Sequence, residues 1–523
     1  MANKTTQIKI DSILGGIAMY ENFSRSDEYT GGFSINPDNG DGITDALPSG
    51  LLSPTPYERA GNLPAYPTWM TTTPKVPYIF VYGSGGSLST FDPISNDIND
   101  FADLNDDGTA SGNGQEYYDN YIYAARDTTV ARYGPLNGTP AWIDNYWVST
   151  LGQTALTNRT YPTITEAGDL RVPNHYLHRH SDGRMYIADV VDNRGTLHFV
   201  ETGKTAIEGD TDISSTYSKV SVGYGLWPTC IESYGSDLAI AFFEGTTDTA
   251  SEGIKQKKAK IAFWDTNSVN INKIIWCEFP DALITSLKNV DGVLYAFSGN
   301  QGQKGCRVVR FIGGYSFEQV AYLPQTYPPM PGAIDSVLNE LSFGGDSGIK
   351  SGYSGAYSLD SNYSLKPGSP KCVMGFDGAD RRITALEYGK SDESLQKSPL
   401  ILGGQYESNL GQIVISGATY SVASWRTQAY RTASTHKIVK IRTPLTTGAS
   451  FVSGEHFIID AYIDNNDIAQ EIVSYDSSSG KKKFVTRCGV VGEHNFKIQF
   501  NWNTTERTVV ALPITINYES IDD

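Results

Sequence analysis

The stretch 281–324, DALITSLKNVDGVLYAFSGNQGQKGCRVVRFIGGYSFEQVAYLP, constrains the fold more than any other, because it reads as a self-contained four-strand unit. Its runs are LITSL (283–287), GVLYAFS (292–298), CRVVRFI (306–312) and FEQVAYL (317–323). Each is short, rich in β-branched and aromatic residues, and bounded by Gly, Asn, Asp or Pro, which is the signature of strands joined by tight turns. Four such strands in about 44 residues is the size of one β-propeller blade.

The unit recurs. Its second-strand string returns as YIFVYG (78–83), NYIYAA (120–125), GRMYIADV (183–190), DLAIAFF (237–243), NELSFGG (339–345) and PLILGG (399–404). With Tyr66, Tyr117, Tyr176, Ile231, Ile284, Ile334 and Thr384 as registers, successive units are separated by 51, 59, 55, 53, 50 and 50 residues. Third-strand strings keep step, as in LSTFDP (88–93), VARYGP (130–135), LHFVETG (197–203), KIAFWDT (260–266) and GAYSLDS (355–361). The expectation is an all-β chain whose residues 61–419 form a seven-bladed propeller, with six or eight blades as neighbouring counts. First strands would line a central channel and fourth strands the rim.

Residues 1–60 read as an irregular, extended arm. QIKIDSI (7–13) alternates like a strand, and this strand either closes the propeller ring or pairs with the C-terminal domain. From about 420 the blade spacing is lost. Six alternating runs follow: 436–445, 455–464, 469–477, 481–488, 495–503 and 510–519. Alternation on this scale implies sheets with one buried face, so residues 420–523 are expected to form an antiparallel β-sandwich.

Composition agrees with an all-β chain: Gly numbers 52 and Tyr (32) exceeds Phe (20) in 523 residues. The net charge of −17 disfavours specific nucleic-acid binding, which needs cations against phosphates. An acidic wall past which DNA slides is compatible with that charge, as is plain solubility. The five cysteines, Cys230, Cys277, Cys306, Cys372 and Cys488, include no CxxC pair and read as free thiols. No signal peptide and no apolar run of membrane-spanning length is read, so synthesis in the cytoplasm without membrane insertion is expected.

Motifs with chemistry are few. Neither GxxxxGK[ST] nor HExxH occurs. Asp103, Asn105 and Asp107, followed by Gly108, resemble the start of a calcium loop; the twelfth position is Gly114 where a bidentate Glu belongs, so an acidic surface turn competes with a calcium site. His175, His178 and His180 cluster, with His178 and His180 on one strand face and His175 on the other; channel-lining or interface histidines are expected there, not a metal centre. Trp142, Tyr146 and Trp147 lie in the insertion 135–173, expected to project as an exposed loop and a contact surface. No catalytic or cofactor-binding residues are assigned.

The strings IKIDSILGGIA (8–18), SGLLSPTPYERA (49–60), VARYGPLNGTPAW (130–142), LGQTALTNRTYPT (151–163), VPNHYLHRHSDGRMYIAD (172–189) and VDGVLYAFSGN (290–300) resemble those of tailed-bacteriophage virion proteins encoded among tail structural genes. The resemblance implies a structural tail protein located in the virion, with itself and other virion proteins as partners. Three function classes follow: a ring- or tube-associated structural subunit without catalysis, a receptor- or glycan-binding propeller at the tail tip, and a polysaccharide-degrading enzyme. The last requires paired carboxylates in a cleft, and acids scattered over the surface would remove it.

Overall fold

The computed structural model describes residues 5–10, 16–17, 28–33, 35–36 and 43–46. From 66 to 521 it describes all but 101–113, 148–174, 202–219, 245–257, 268–274, 346–354, 361–370, 376–381, 390–399, 416–421, 477–483 and breaks of five residues or fewer. The chain is all-β.

Between residues 67 and 415 the described strands form seven consecutive antiparallel meander sheets, each built from one continuous stretch of chain. The fifth shows how closely sequence dictates the unit. Its strands are Leu283–Val290, Val293–Gly299, Cys306–Phe311 and Phe317–Leu323, which overlap all four runs read from the sequence. Val290 pairs with Val293 across a two-residue turn at Asp291 and Gly292, whose φ values of 48° and 82° are those of the mirror-image turn that matches strand twist. Asp119 and Asn120 turn the same way in the second sheet, with φ values of 46° and 68°. There the short polar side chains tolerate the left-handed region.

The first strands of the seven sheets are Pro67–Thr71, Gln115–Tyr118, Leu177–Arg179, Leu226–Tyr234, Leu283–Val290, Ile334–Val337 and Arg382–Tyr388. Each packs against the next, and the seventh packs against the first. The seam between them is side-chain and backbone contact: the Thr384 hydroxyl donates to the Pro67 carbonyl, and Gly403 has no room for a Cβ because Pro67 would lie 2.8 Å away. Between sheets, large aromatics fill the wedges. Phe242, Phe263, Trp264 and Phe279 are all buried in one cluster spanning the third to fifth sheets. Each such ring contributes about 1.5–3 kcal/mol by leaving water.

The arm does not close the ring. Thr5–Ile10 pairs antiparallel with Ile514–Ser520, with Ile8 opposite Ile516 and Ile10 opposite Ile514. Glu28–Phe33 pairs with Val422–Thr427, and Ile43–Ala46 with Thr508–Ala511. The alternating pattern at 5–10 explains the choice: Ile10 is buried with Ile438, Ile441, Ile514 and Ile516, while the intervening Lys9 faces outward. The C-terminal strands show the same period, buried at every second residue along His456–Ile463. Lys371–Gly375, the last strand of the sixth sheet, packs against Glu28–Phe33, so the module built from both chain ends sits on the side of the ring.

Candidate functional site: an axial acidic cavity

The first strands converge on a cavity of about 250 Å³, and each sheet supplies at least one polar residue to it. These residues are Thr72, Glu116, His178, Glu232, Lys288, Asp335 and Glu387, from the first to the seventh sheet in turn. In every case the preceding residue is buried, as with Leu177, Ile231, Leu287, Ile334 and Leu386. The strand alternation that packs one residue between sheets turns the next toward the axis.

Lys288 is the one lysine among the lining residues. Its Nζ donates to Asp335 Oδ1 at 2.8 Å, and the Tyr388 backbone N–H donates to Asp335 Oδ2 at 2.8 Å. Burial alone would lower the Lys288 pKa, but Asp335 and Glu232 outweigh it and hold the ammonium charged above its usual range. The other three carboxyls accept only from neutral donors. Glu116 takes the N–H groups of Tyr117 (3.0 Å) and Arg179 (3.3 Å), Glu232 takes that of Ser233 (3.0 Å), and Glu387 Oε1 takes the Thr72 N–H and hydroxyl at 2.8 and 2.7 Å. Burial pushes Glu116 and Glu232 up to about 7, and burial with the nearby Asp335 pushes Glu387 up to about 8. Burial thus favours the protonated form of these three carboxyls.

His178 is held neutral. Burial, then His180 and Lys288, lower its pKa to about 3. Its tautomer follows from the hydrogen-bond chain. In its neutral form His180 donates from Nε2 to the Ser236 carbonyl at 3.3 Å, which leaves Nδ1 to accept from the Ser233 hydroxyl at 2.8 Å. The Ser233 oxygen, 2.8 Å from His178 Nε2, then accepts from that nitrogen. His178 Nε2 lies 3.9 Å from Glu232 Oε1.

Gln115 also lines the cavity and is only 2 % exposed. Its Oε1 accepts from the Thr71 hydroxyl at 3.1 Å, while its amide nitrogen has no hydrogen-bond partner. A buried amide donor left unpaired costs about 1–3 kcal/mol. Trp69 and Tyr176 meet edge to face at 5.2 Å and form the aromatic part of the lining.

Of the residues singled out from sequence, His178 lines this cavity, while His175 and His180 are buried beside it. His175 Nδ1 lies 3.2 Å from the Ala188 carbonyl, on the other side of the strand from the Ser233 network shared by His178 and His180. Among the described residues no group of three His, Cys, Asp or Glu could hold a metal. Asp103, Asn105 and Asp107 lie outside the described residues, as does the side chain of Cys372. Cys230, Cys277, Cys306 and Cys488 are free thiols.

The exposed aromatic loop is corrected. Trp142, Tyr146 and Trp147 belong to Ala141–Trp147, the last strand of the second sheet. Tyr146 is 3 % exposed, covered by the Arg132 guanidinium 3.5 Å from its ring centroid, and Trp142 packs against the cluster containing Phe80 and Tyr82. The side chain of Trp147 is not among those described. The cause is pairing: Trp142 sits opposite Tyr133 across the ladder, so a hairpin forms where an insertion was read. Exposed apolar rings lie elsewhere, at Tyr224 and Trp276 on the last strands of the third and fourth sheets. Four carboxyls converging on one cavity are also not the scattered acids that would have removed an enzyme.

No protein-family model matches the chain, and no curated protein is similar to it. Solved structures are similar at 10 % identity. The Neurospora crassa Pan2 WD40 domain covers 70 % of this chain and 93 % of its own, with a TM-score of 0.41. The Myceliophteria thermophila Cps50 (Swd1) beta-propeller domain covers 68 % and 97 %, with a TM-score of 0.40. The computationally designed Ika8 protein covers 68 % and 98 %, with a TM-score of 0.34.

Proposed function

We propose that this chain is a non-catalytic structural subunit of a tailed-phage virion, associated with the tail as part of a ring or around its tube. In this reading the seven meander sheets are the blades of a β-propeller, and the three sheets woven from both chain ends are an attached sandwich-like module. The observation that carries it is the interlock of residues 5–46 with strands between 422 and 520, which makes a second body on the side of the ring out of both termini. A rigid ring with a laterally attached module offers two separate faces to neighbours, which assembly from repeated copies requires. The exposed rings of Tyr224 and Trp276 supply apolar contact area on the rim. The strings resembling tail proteins, spread from residue 8 to residue 300, support the same reading.

Binding to specific nucleic-acid sequences has no place in this proposal, since the net charge of −17 opposes phosphate contacts. Passage of DNA past an acidic surface remains within it. A second reading, a receptor- or glycan-binding propeller at the tail tip, is favoured by one observation, the axial cavity with its converging polar groups. Immunogold electron microscopy of purified particles with antibody raised against the whole chain separates these. Label along or around the tail supports the structural subunit, label at the distal tip supports the receptor binder, and unlabelled particles overturn both.

A further inference from the structure

The axial cavity is built for a ligand that the virion role does not require. Four carboxyls face one ammonium, and that ammonium is engaged by Asp335 at 2.8 Å. Glu116, Glu232 and Glu387 form no ion pair with a cationic side chain among the described residues; their hydrogen bonds come from backbone N–H groups and the Thr72 hydroxyl. Lys288 acts on these three carboxyls only through space, and a cation entering the cavity would give them a direct partner where strands from seven sheets meet.

Acids alone do not define a site. The independent observation is Gln115, 2 % exposed, lining the same cavity with its amide nitrogen unpartnered. Turning the amide over would leave its oxygen unpartnered instead, so either orientation calls for a group on the ligand. A hydroxyl serves both, because it donates and accepts. The volume of about 250 Å³ is room for roughly eight waters by their share of the liquid. That suits a small organic molecule and is tight for a peptide segment. The edge-to-face pair of Trp69 and Tyr176 gives the carbon skeleton an apolar surface to lie on. Direct metal ligation is not the alternative, because no group of three potential ligands is assembled among the described residues.

The geometry points to a binding site for a small polyhydroxylated ammonium, an amino sugar or amino alcohol, whose cation is held by Glu232 and Glu387 and whose hydroxyl pairs with Gln115. The ligand closes the hydrogen-bond deficit of Gln115 and the charge deficit of the ring at once. Of the groups facing the cation, Glu116, Glu232 and Glu387 are pushed up toward neutrality by burial, His178 is neutral, and Lys288 and Asp335 pair with each other. Entry of the ammonium draws those carboxyls into their ionised form and releases protons. The site stands independently of the tail assignment.

The test is isothermal titration calorimetry on the full chain, with glucamine as the probe and sorbitol as its neutral counterpart, the two differing by an ammonium in place of one hydroxyl. The expected result near pH 7.5 is glucamine binding with proton release, read as a buffer-dependent heat, and at least about tenfold weaker binding of sorbitol. Acidification to about pH 5 should abolish binding, because the raised carboxyls are protonated there. Glu387→Gln and Gln115→Leu should each weaken glucamine by about tenfold or more while the chain stays folded by circular dichroism. Absence of heat at about 10 mM glucamine, equal affinity for sorbitol, or unchanged affinity in a folded Glu387→Gln chain would each overturn the proposal. Should Glu387→Gln fail to fold, Glu232→Gln is the second variant, with the same expectation.

Discussion

Replacing Lys288 with Met should be among the most damaging single changes in the ring, although it adds apolar surface. The lysine holds the one positive charge among the cavity-lining side chains, with Nζ 2.8 Å from Asp335 Oδ1 and side-chain exposures of 27 % and 14 % for the two partners. Removing one member of a buried pair costs about 3–5 kcal/mol, because the other charge is left uncompensated. The partial exposure of both side chains screens this pair, which brings the expectation down to about 2–3 kcal/mol. Asp335 keeps the Tyr388 N–H, which is not a full substitute. The loss should depend on pH with a definite sign. Without Lys288 the remaining carboxyls must either repel one another or take up protons, so acid relieves the variant more than the parent. Urea unfolding at about pH 7.5 and about pH 5 reads both effects through the midpoint. The double variant Lys288→Met with Asp335→Asn should recover most of the loss, which gives the pair's coupling energy. A single variant within about 0.5 kcal/mol of the parent at neutral pH, or a loss that does not shrink in acid, would refute this electrostatic account.

Other consequences are equally direct. Glu232 binds its proton more tightly folded than unfolded, so its contribution falls as pH rises from the ordinary carboxyl range through about 7; Glu232→Gln should raise stability at about pH 8.5 by up to roughly 3 kcal/mol and add nothing near pH 4, as pH-resolved melting would show. Deleting residues 1–10 removes buried Ile10 and half-buried Ile8 from Ile514–Ser520 and bares a strand edge; it should cost about 2–4 kcal/mol and cause concentration-dependent association in light scattering. Gly332→Ala drives a Cβ into the Thr68 carbonyl, where the chain leading into the sixth sheet meets the first strand of the first, and a loss below about 1 kcal/mol in urea unfolding would contradict a tightly closed ring. Phe500, fully buried in the module built from the chain ends, should cost about 3–5 kcal/mol on truncation to Ala, read from the same unfolding curves.

The strands were legible because each carries its own evidence. Val293–Gly299 is a β-branched and aromatic run with a turn on either side, and no distant contact was needed to see it. The partner of Thr5–Ile10 was not legible, because an alternating strand states which face is buried and not what buries it. Ring edge and C-terminal sheet offered similar surfaces. The second sheet was misread at Ala141–Trp147 since its polar residues and Pro-flanked setting look like a loop until Trp142 is placed opposite Tyr133. The axial cavity was missed for a different reason. Glu116, Glu232, Lys288, Asp335 and Glu387 are ordinary charged residues within five separate strands, each unremarked alone. Aligning the first strands shows an apolar residue followed by a polar one in most of them, as in Ile231-Glu232, Leu287-Lys288, Ile334-Asp335 and Leu386-Glu387. Convergence at the axis is a product of ring geometry, which appears only when the sheets are assembled. Glu387 accepts from Thr72, 315 residues away in the chain.

The central claim, that the chain is a repeated structural part of a virion, is tested most directly by quantitative mass spectrometry of purified tail-bearing particles. The quantity is copies of this chain per major capsid protein. The account predicts about a dozen copies or more per particle, in a multiple of three or six, as a ring or tube-associated subunit requires. Copies near three or six alone would shift the protein to a receptor binder at the tail tip, and absence from particles would contradict the virion account altogether.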